Sequence, residues 1–207
     1  MVFSNEVDYQ RFVALLLLSN STKKIEFRNL LQKNRGASSI EVLRFAESSY
    51  EYVDVLGYSL MPNHIHLILK EKKLGGISTF MHKLITSYAM YFNIKNSRSG
   101  PLFTRPFRSR HVGDDTYLRW LFSYVHLNPL ELSQPGWKTG NIEIKSAKVF
   151  MREYPFSSYQ DFFFENRPQS IILNKPAWPI DLSELREVDE LLETFSSFPE
   201  HQGLPLV

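Results

Sequence analysis

Two histidines separated by one residue, His64 and His66, stand in the run Leu60-Met-Pro-Asn-His-Ile-His-Leu-Ile-Leu69. Side chains alternate along a strand, so His64, His66, Ile68 and Lys70 share one face while Ile65, Leu67 and Leu69 take the other. Paired imidazoles on one face suit a divalent cation. Two ligands do not close a site, and such a pair is as often solvent-facing or satisfied within a core. Tyr124 and Asn128 form a second constellation, four residues apart on a segment of helical pattern, which sets phenol and amide on one side. The amide oxygen of Asn128 is a hard ligand for Mg2+ or Mn2+, so it can complete the pair while holding Tyr124 near a metal-bound phosphate. A phenol with a pKa of about 10 is a poor nucleophile at neutral pH and needs a polarised electrophile or a neighbouring base. Against this, a helix tyrosine more commonly packs on a sheet than reacts.

The elements that must position these groups follow from periodicity. Asp8 to Leu18 carries apolar residues at helical spacing after the capping residues Ser4 and Asn5, which predicts a first helix. Residues 19–39 read as a short helix and a loop ending in Arg35-Gly-Ala-Ser-Ser39, followed by another short helix to about Ala46. Tyr50–Gly57 and Ser59–Lys70 read as adjacent strands with a turn around Gly57. Gly75-Gly76 breaks the chain, Ser78 can cap, and Ile77, Phe80, Met81, Leu84, Ile85, Tyr88 and Phe92 mark a long amphipathic helix. Leu102–Val112 reads as a loop and strand. Asp114 and Asp115 suit a helix N-terminus, and Leu118, Leu121, Phe122 and Val125 form the inward stripe of a helix that Pro129 ends. Pro168–Pro179 reads as extended, and Asp181–Phe195 as an acidic helix.

The chain has 207 residues and no cysteine, which excludes disulfides, thiolate metal sites and a cysteine nucleophile. Its apolar run Val13–Leu18 is too short to span a bilayer and no signal-peptide pattern precedes it, so the expected location is the cytoplasm. With no Gly-rich loop followed by Gly-Lys-Ser/Thr, nucleotide hydrolysis is not the expected energy source. The net charge of +2 hides a division: residues 70–128 hold 10 basic against 3 acidic side chains, and residues 129–207 hold 7 against 12. The basic middle fits a polyanion binder and, equally, a solvated basic face.

Taken in order, the motifs resemble a known family. Gly57-Tyr-Ser-Leu-Met-Pro-Asn-His-Ile-His-Leu-Ile-Leu69 resembles the HUH strand of single-tyrosine transposases, the group of REP-associated tyrosine transposases and small IS200-like insertion-sequence transposases. Gly76-Ile-Ser-Thr-Phe-Met-His-Lys-Leu84 and Tyr91-Phe92 resemble the start and end of the family helix. Arg98-Ser-Gly-Pro-Leu-Phe103 with Phe107-Arg108 resembles its basic hairpin, Tyr124-Val-His-Leu-Asn-Pro129 its catalytic-tyrosine helix, and Glu153-Tyr-Pro-Phe-Ser-Ser-Tyr159 a motif of the REP-associated branch.

The resemblance implies an α+β domain over residues 1–160, a ferredoxin-like HUH fold with a central antiparallel sheet and packed helices. Residues 161–207 form a C-terminal extension. It also implies that His64, His66 and Asn128 hold Mg2+ or Mn2+, and that Tyr124 attacks single-stranded DNA bearing hairpin or palindromic ends. The product is a 5′-phosphotyrosine and a free 3′-OH, so strands can be rejoined without ATP. Lys95, Arg98, Arg105, Arg108 and Arg110 are the expected phosphate contacts, with Phe103, Phe107 or Tyr117 for base stacking. His126, His82, His111 and His201 are assigned structural roles. Family members open on a strand ahead of the first helix; here Met1-Val-Phe-Ser leads straight into that helix, so a first strand is expected to be absent and a sheet edge uncovered. The rival readings are a noncatalytic nucleic-acid binder and a water-using metal phosphodiesterase. Monomer and homodimer are both compatible with the sequence.

Overall fold

A computed structural model describes residues 1–22, 27–36, 40–41, 43, 51–103, 106–164 and 167–197. The elements, in chain order, are α1 (Glu6–Leu18), α2 (Phe27–Lys33), β1 (Val53–Leu60), β2 (Ile65–Glu71), α3 (Gly76–Lys95), α4 (Asp115–Leu127), α5 (Leu130–Ser133), α6 (Ile144–Glu153), α7 (Tyr159–Phe163) and α8 (Val188–Ser196). The fold is α+β, built on an antiparallel β1–β2 sheet with helices on both faces. The short helix expected near Ala46 lies outside the described residues.

One face of the sheet carries α1 and α3. Val53, Val55, Tyr58 and Leu60 of β1, with Ile65, Leu67 and Leu69 of β2, pack against Phe12, Leu16, Phe80, Leu84 and Tyr88. The other face carries α4, where Leu56 and Ile68 meet Phe122 and Val125, and α8 packs on α4 from outside through Val188, Leu191 and Phe195. The alternation expected for β2 is therefore observed. Its partner β1 is buried at every position because helices cover both of its faces.

β1 changes parity midway. Val55 pairs with Leu69 but Gly57 pairs with Ile68, so Leu56 is an extra residue and the strand bulges there. A bulge lets odd-numbered Val53 and Val55 share a face with even-numbered Tyr58 and Leu60. Gly57 thus lies inside β1, and the turn expected around it falls instead at Met61–His64, where the Met61 amide donates to the His64 carbonyl at 2.9 Å.

The edge of β1 away from β2 is satisfied by later chain. Leu60 and Ser158 amides donate to the carbonyls of Phe156 and Tyr58, both at 2.9 Å, and the Asn174 amide donates to Val55 at 3.0 Å. The Trp178 indole N–H donates to the Leu56 carbonyl at 3.0 Å, which takes up the acceptor exposed by the bulge. Among the described residues no strand precedes β1 and the outer edge of β2 has no ladder partner, matching the expected uncovered edge.

Three expectations change. Gly75, at φ 75°, caps α3 without any side-chain bond, in place of Ser78. Residues 106–114 form no strand, and Pro168–Ile172 and Lys175–Ala177 are short 3-10 turns rather than extended chain. A proline near the first position of such a turn explains the misreading, because its fixed φ suits helical turns as well as extended backbone. The acidic helix is shorter than expected: α8 starts at Val188, set by a capping box in which Glu187 and Glu190 each accept from the other's end of the turn.

Candidate functional site

The turn that presents the first histidine is fastened on three sides. Val2 and Phe3 amides both donate to the Pro62 carbonyl, at 2.9 and 3.2 Å, and the Tyr154 hydroxyl donates to the Leu60 carbonyl at 2.5 Å. Tyr88 of α3 holds Val2 in turn, its hydroxyl 2.7 Å from the Val2 carbonyl. From this mount His64 is exposed and His66 half-buried, with ring centroids 4.8 Å apart and planes nearly perpendicular.

The imidazole tautomers follow from their partners. His64 Nδ1 lies 2.7 Å from the Asn63 amide oxygen, which can only accept, so the proton sits on Nδ1 and Nε2 keeps a free lone pair. His66 Nε2 is hydrogen-bonded by the Asn128 amide nitrogen, so that ring nitrogen too is the unprotonated one. Burial lowers the pKa of His66 to about 3, helped by His64 and by the Lys138 ammonium. The same two causes, lost hydration and Lys138, lower that of His64. Both rings are neutral at neutral pH, the form in which imidazole binds cations.

Helix α4 brings the other two groups. Asp114 caps it, accepting from the Tyr117 amide at 2.6 Å, and the chain leaves the helix at Asn128-Pro129. His126, between Tyr124 and Asn128 in sequence, points into the sheet as expected for a structural residue. Its Nδ1 donates to the Phe122 carbonyl at 2.8 Å, so Nε2, 2.7 Å from the Ser158 hydroxyl, accepts from it. Ser158 also accepts from the Tyr58 amide at 2.9 Å, which ties the helix to β1. Glycine is needed at 57 because α4 comes so close: a Cβ there would lie 3.2 Å from His126 Cε1.

With the helix seated in this register, Tyr124 stands edge-on to His66 at 5.5 Å between ring centroids, and Asn128 is 2% exposed against His66. The four residues singled out by sequence therefore meet in one cluster. The Tyr124 ring stacks on Trp120 at 5.3 Å and on Phe195 of α8 at 6.3 Å. Burial raises its pKa above the ordinary 10, the Glu131 carboxylate adds to this, and the Asn128 side chain pulls it the other way. The phenol is therefore protonated at neutral pH and nucleophilic only when its proton is drawn off.

Two neighbours were not legible in the sequence. Lys138 holds its ammonium 5.0 Å above the Tyr124 ring. It sits on the 3-10 turn Trp137–Thr139, between Gly136 and Gly140 in left-handed conformations, with Trp137 buried against Phe195. Glu131, exposed on α5, acts on both Tyr124 and Lys138. No periodicity links position 138 to position 124; the contact arises only when the chain turns back after α5.

The expected phosphate contacts are spread out. Lys95 lies at the end of α3, its ammonium 2.5 Å from the buried carboxylate of Asp8 and 3.1 Å from Asn5. Arg98 is exposed and reaches the Pro101 carbonyl at 3.3 Å. Arg108 is exposed, and Arg110 lies over the Tyr117 ring at 4.8 Å, beside the start of α4. Arg105 lies outside the described residues. Of the aromatics, Phe107 is exposed, Phe103 is half-buried and Tyr117 is buried in the stack with Trp120.

Among the described residues no three histidines, aspartates or glutamates converge as a metal site. The available donors are two imidazole nitrogens and one amide oxygen, a set that fits a hard or borderline divalent cation with further positions left to water and substrate. Among the described residues no helix is long and apolar enough to cross a membrane.

Neither the curated proteins nor the solved structures yield a match to the chain. A family model described as transposase, IS200-like, matches residues 23–128, just over half of the sequence, a stretch that runs from before β1 to the last residue of the cluster and includes His64, His66, Tyr124 and Asn128. A match of that extent, ending on the residues that the fold gathers into one site, shows that the chain belongs to the IS200-like transposase family.

Proposed function

We propose that the protein is a metal-dependent transposase that cuts and rejoins single-stranded, hairpin-bearing DNA through a covalent bond to Tyr124. The observation that carries this reading is the placement of the Tyr124 ring 5.5 Å from His66, with Asn128 held against the same imidazole. A noncatalytic binder has no need for a phenol set beside paired neutral imidazoles.

His64 Nε2, His66 Nε2 and the Asn128 amide oxygen would hold Mg2+ or Mn2+. Bound there, the cation would polarise a phosphodiester and offset the charge that develops on it. In the step itself the Tyr124 oxygen bonds to phosphorus, the phenolic proton passes to solvent, and the bond from phosphorus to the 3′ oxygen breaks. That oxygen takes up a proton as the 3′-OH. One ester replaces another, so a different 3′-OH can reverse the step without ATP. Asn128 orients both the phenol and His66, and Trp120 and Phe195 restrict the Tyr124 ring to one plane. Such chemistry belongs with the DNA of the cytoplasm.

The test uses a pool of labelled single-stranded oligonucleotides, each a hairpin with randomised flanks, incubated with the protein and Mg2+ or Mn2+ and resolved on a denaturing gel. The expected result is a protein–DNA adduct that is lost in Tyr124→Phe and in His66→Ala. Cleavage without adduct, surviving Tyr124→Phe, would make water the nucleophile. Binding without cleavage would leave only a nucleic-acid binder.

A further inference from the structure

Most buried or half-buried lysines in this molecule are matched to an oxygen. Lys95 meets Asp8, Lys83 meets the Ser21 carbonyl and Lys175 the Asp161 carbonyl. Lys138 differs: it is half-buried, and among the described residues its ammonium forms neither an ion pair nor a hydrogen bond. Its neighbours are the faces of Tyr124 at 5.0 Å and Trp137 at 5.7 Å. Aromatic faces attract a cation only modestly and do not replace a counter-ion.

The position is also rigidly held. Trp137, 1% exposed, packs on Phe195 at 4.9 Å and fixes the 3-10 turn, so Lys138 can present its charge at one place. That place adjoins the nucleophile and both histidines, on the side where His64 is exposed. An anion approaching Tyr124 from His64 comes within reach of the one ammonium there that has no partner.

We propose that Lys138 binds a non-bridging oxygen of the phosphodiester that Tyr124 attacks, and offsets the negative charge gathering there as the new ester forms. This rests on the covalent reading above. Lys138 keeps its protons throughout; the bonds made and broken are those already described, and the lysine contributes position and charge. Preorganised donors aimed at developing charge are among the largest contributors to catalysis.

Two measurements test it. The first is binding of a fluorescent thymidylate 12-mer to the Tyr124→Phe protein, without divalent cation, across a salt series. Each phosphate contact on a single strand contributes roughly 0.7 to the slope of log affinity against log salt, so Lys138→Gln should flatten the slope by about that amount and Lys138→Arg should preserve it. The second, with Tyr124 intact, is the single-turnover rate of adduct formation at saturating hairpin DNA. Lys138→Gln should slow it by about 10- to 100-fold, because loss of one charge-stabilising donor costs of this order or more, with most of the rate restored in Lys138→Arg. An unchanged salt slope overturns the phosphate contact. A changed slope with an unchanged saturated rate overturns its placement at the reacting phosphate. If the parent protein forms no adduct, the covalent reading fails, and the slope alone decides whether Lys138 holds a backbone phosphate.

Discussion

The two faces of the β1–β2 sheet are built from different materials. Against α1 and α3 the contacts are hydrocarbon and aromatic rings, and the buried charge on α1, Asp8, is matched by Lys95, Tyr91 and the Ser4 amide. Against α4 the same strands present Gly57, Ser59 and His66 to Ser123, His126 and Asn128, all three 2% exposed or less. Apolar contact is non-directional and sets no register by itself, whereas a hydrogen bond constrains angle as well as distance. The first face holds the sheet together. The second fixes how far α4 has slid along it, which decides whether Tyr124 reaches His66.

The comparison can be broken most severely from the hydrocarbon side. Phe80→Ala, at a fully buried position of α3, should cost about 3–5 kcal/mol in urea unfolding. Adduct formation per folded molecule should stay at the parent level; a larger loss would mean that both faces set the site. Gly57→Ala should cost less, about 1–3 kcal/mol, because the added methyl must push aside a ring anchored at both nitrogens. Here adduct formation should fall by more than the loss of folded protein explains, and an unaltered rate would show that α4 tolerates displacement.

The smallest effect concerns Asp8. Burial alone would raise its pKa, but bonds from Lys95, Ser4 and Tyr91 outweigh this and leave it below 3.8. A depressed carboxylate contributes stability that is complete above its unfolded pKa of about 3.9 and fades as pH falls through the folded value. Asp8→Asn should therefore cost about 1–3 kcal/mol at neutral pH, as for a hydrogen bond to a charged group, and should flatten the stability profile below pH 4. Adduct chemistry should not change.

Much of the site was legible because its signals are local. His64 and His66 declare a shared face by their spacing, and Tyr124 and Asn128 a shared side by theirs. Alternation in β2 and the stripe of α3 likewise depend only on neighbours in sequence. What escaped depends on contacts between distant segments. Gly57 looks like a turn residue until His126 is seen above it, and Lys138 reaches Tyr124 only through the fold of the chain after α5. Pro168 and Pro176 carry a φ that extended chain and 3-10 turns share, so sequence could not separate the two.

The supernumerary residue in β1 makes the counting of codons part of the architecture. With Leu56 present, Tyr58 and Leu60 face the hydrocarbon side while Ser59 meets α4. Excision of that single residue would invert the downstream half of the strand, driving a hydroxyl into oil and a tyrosine against the helix that bears the nucleophile. In-frame length changes in copies of this gene should accordingly be purged between Val55 and Leu60 and spared in the irregular stretch ahead of α4, where no pleat keeps count.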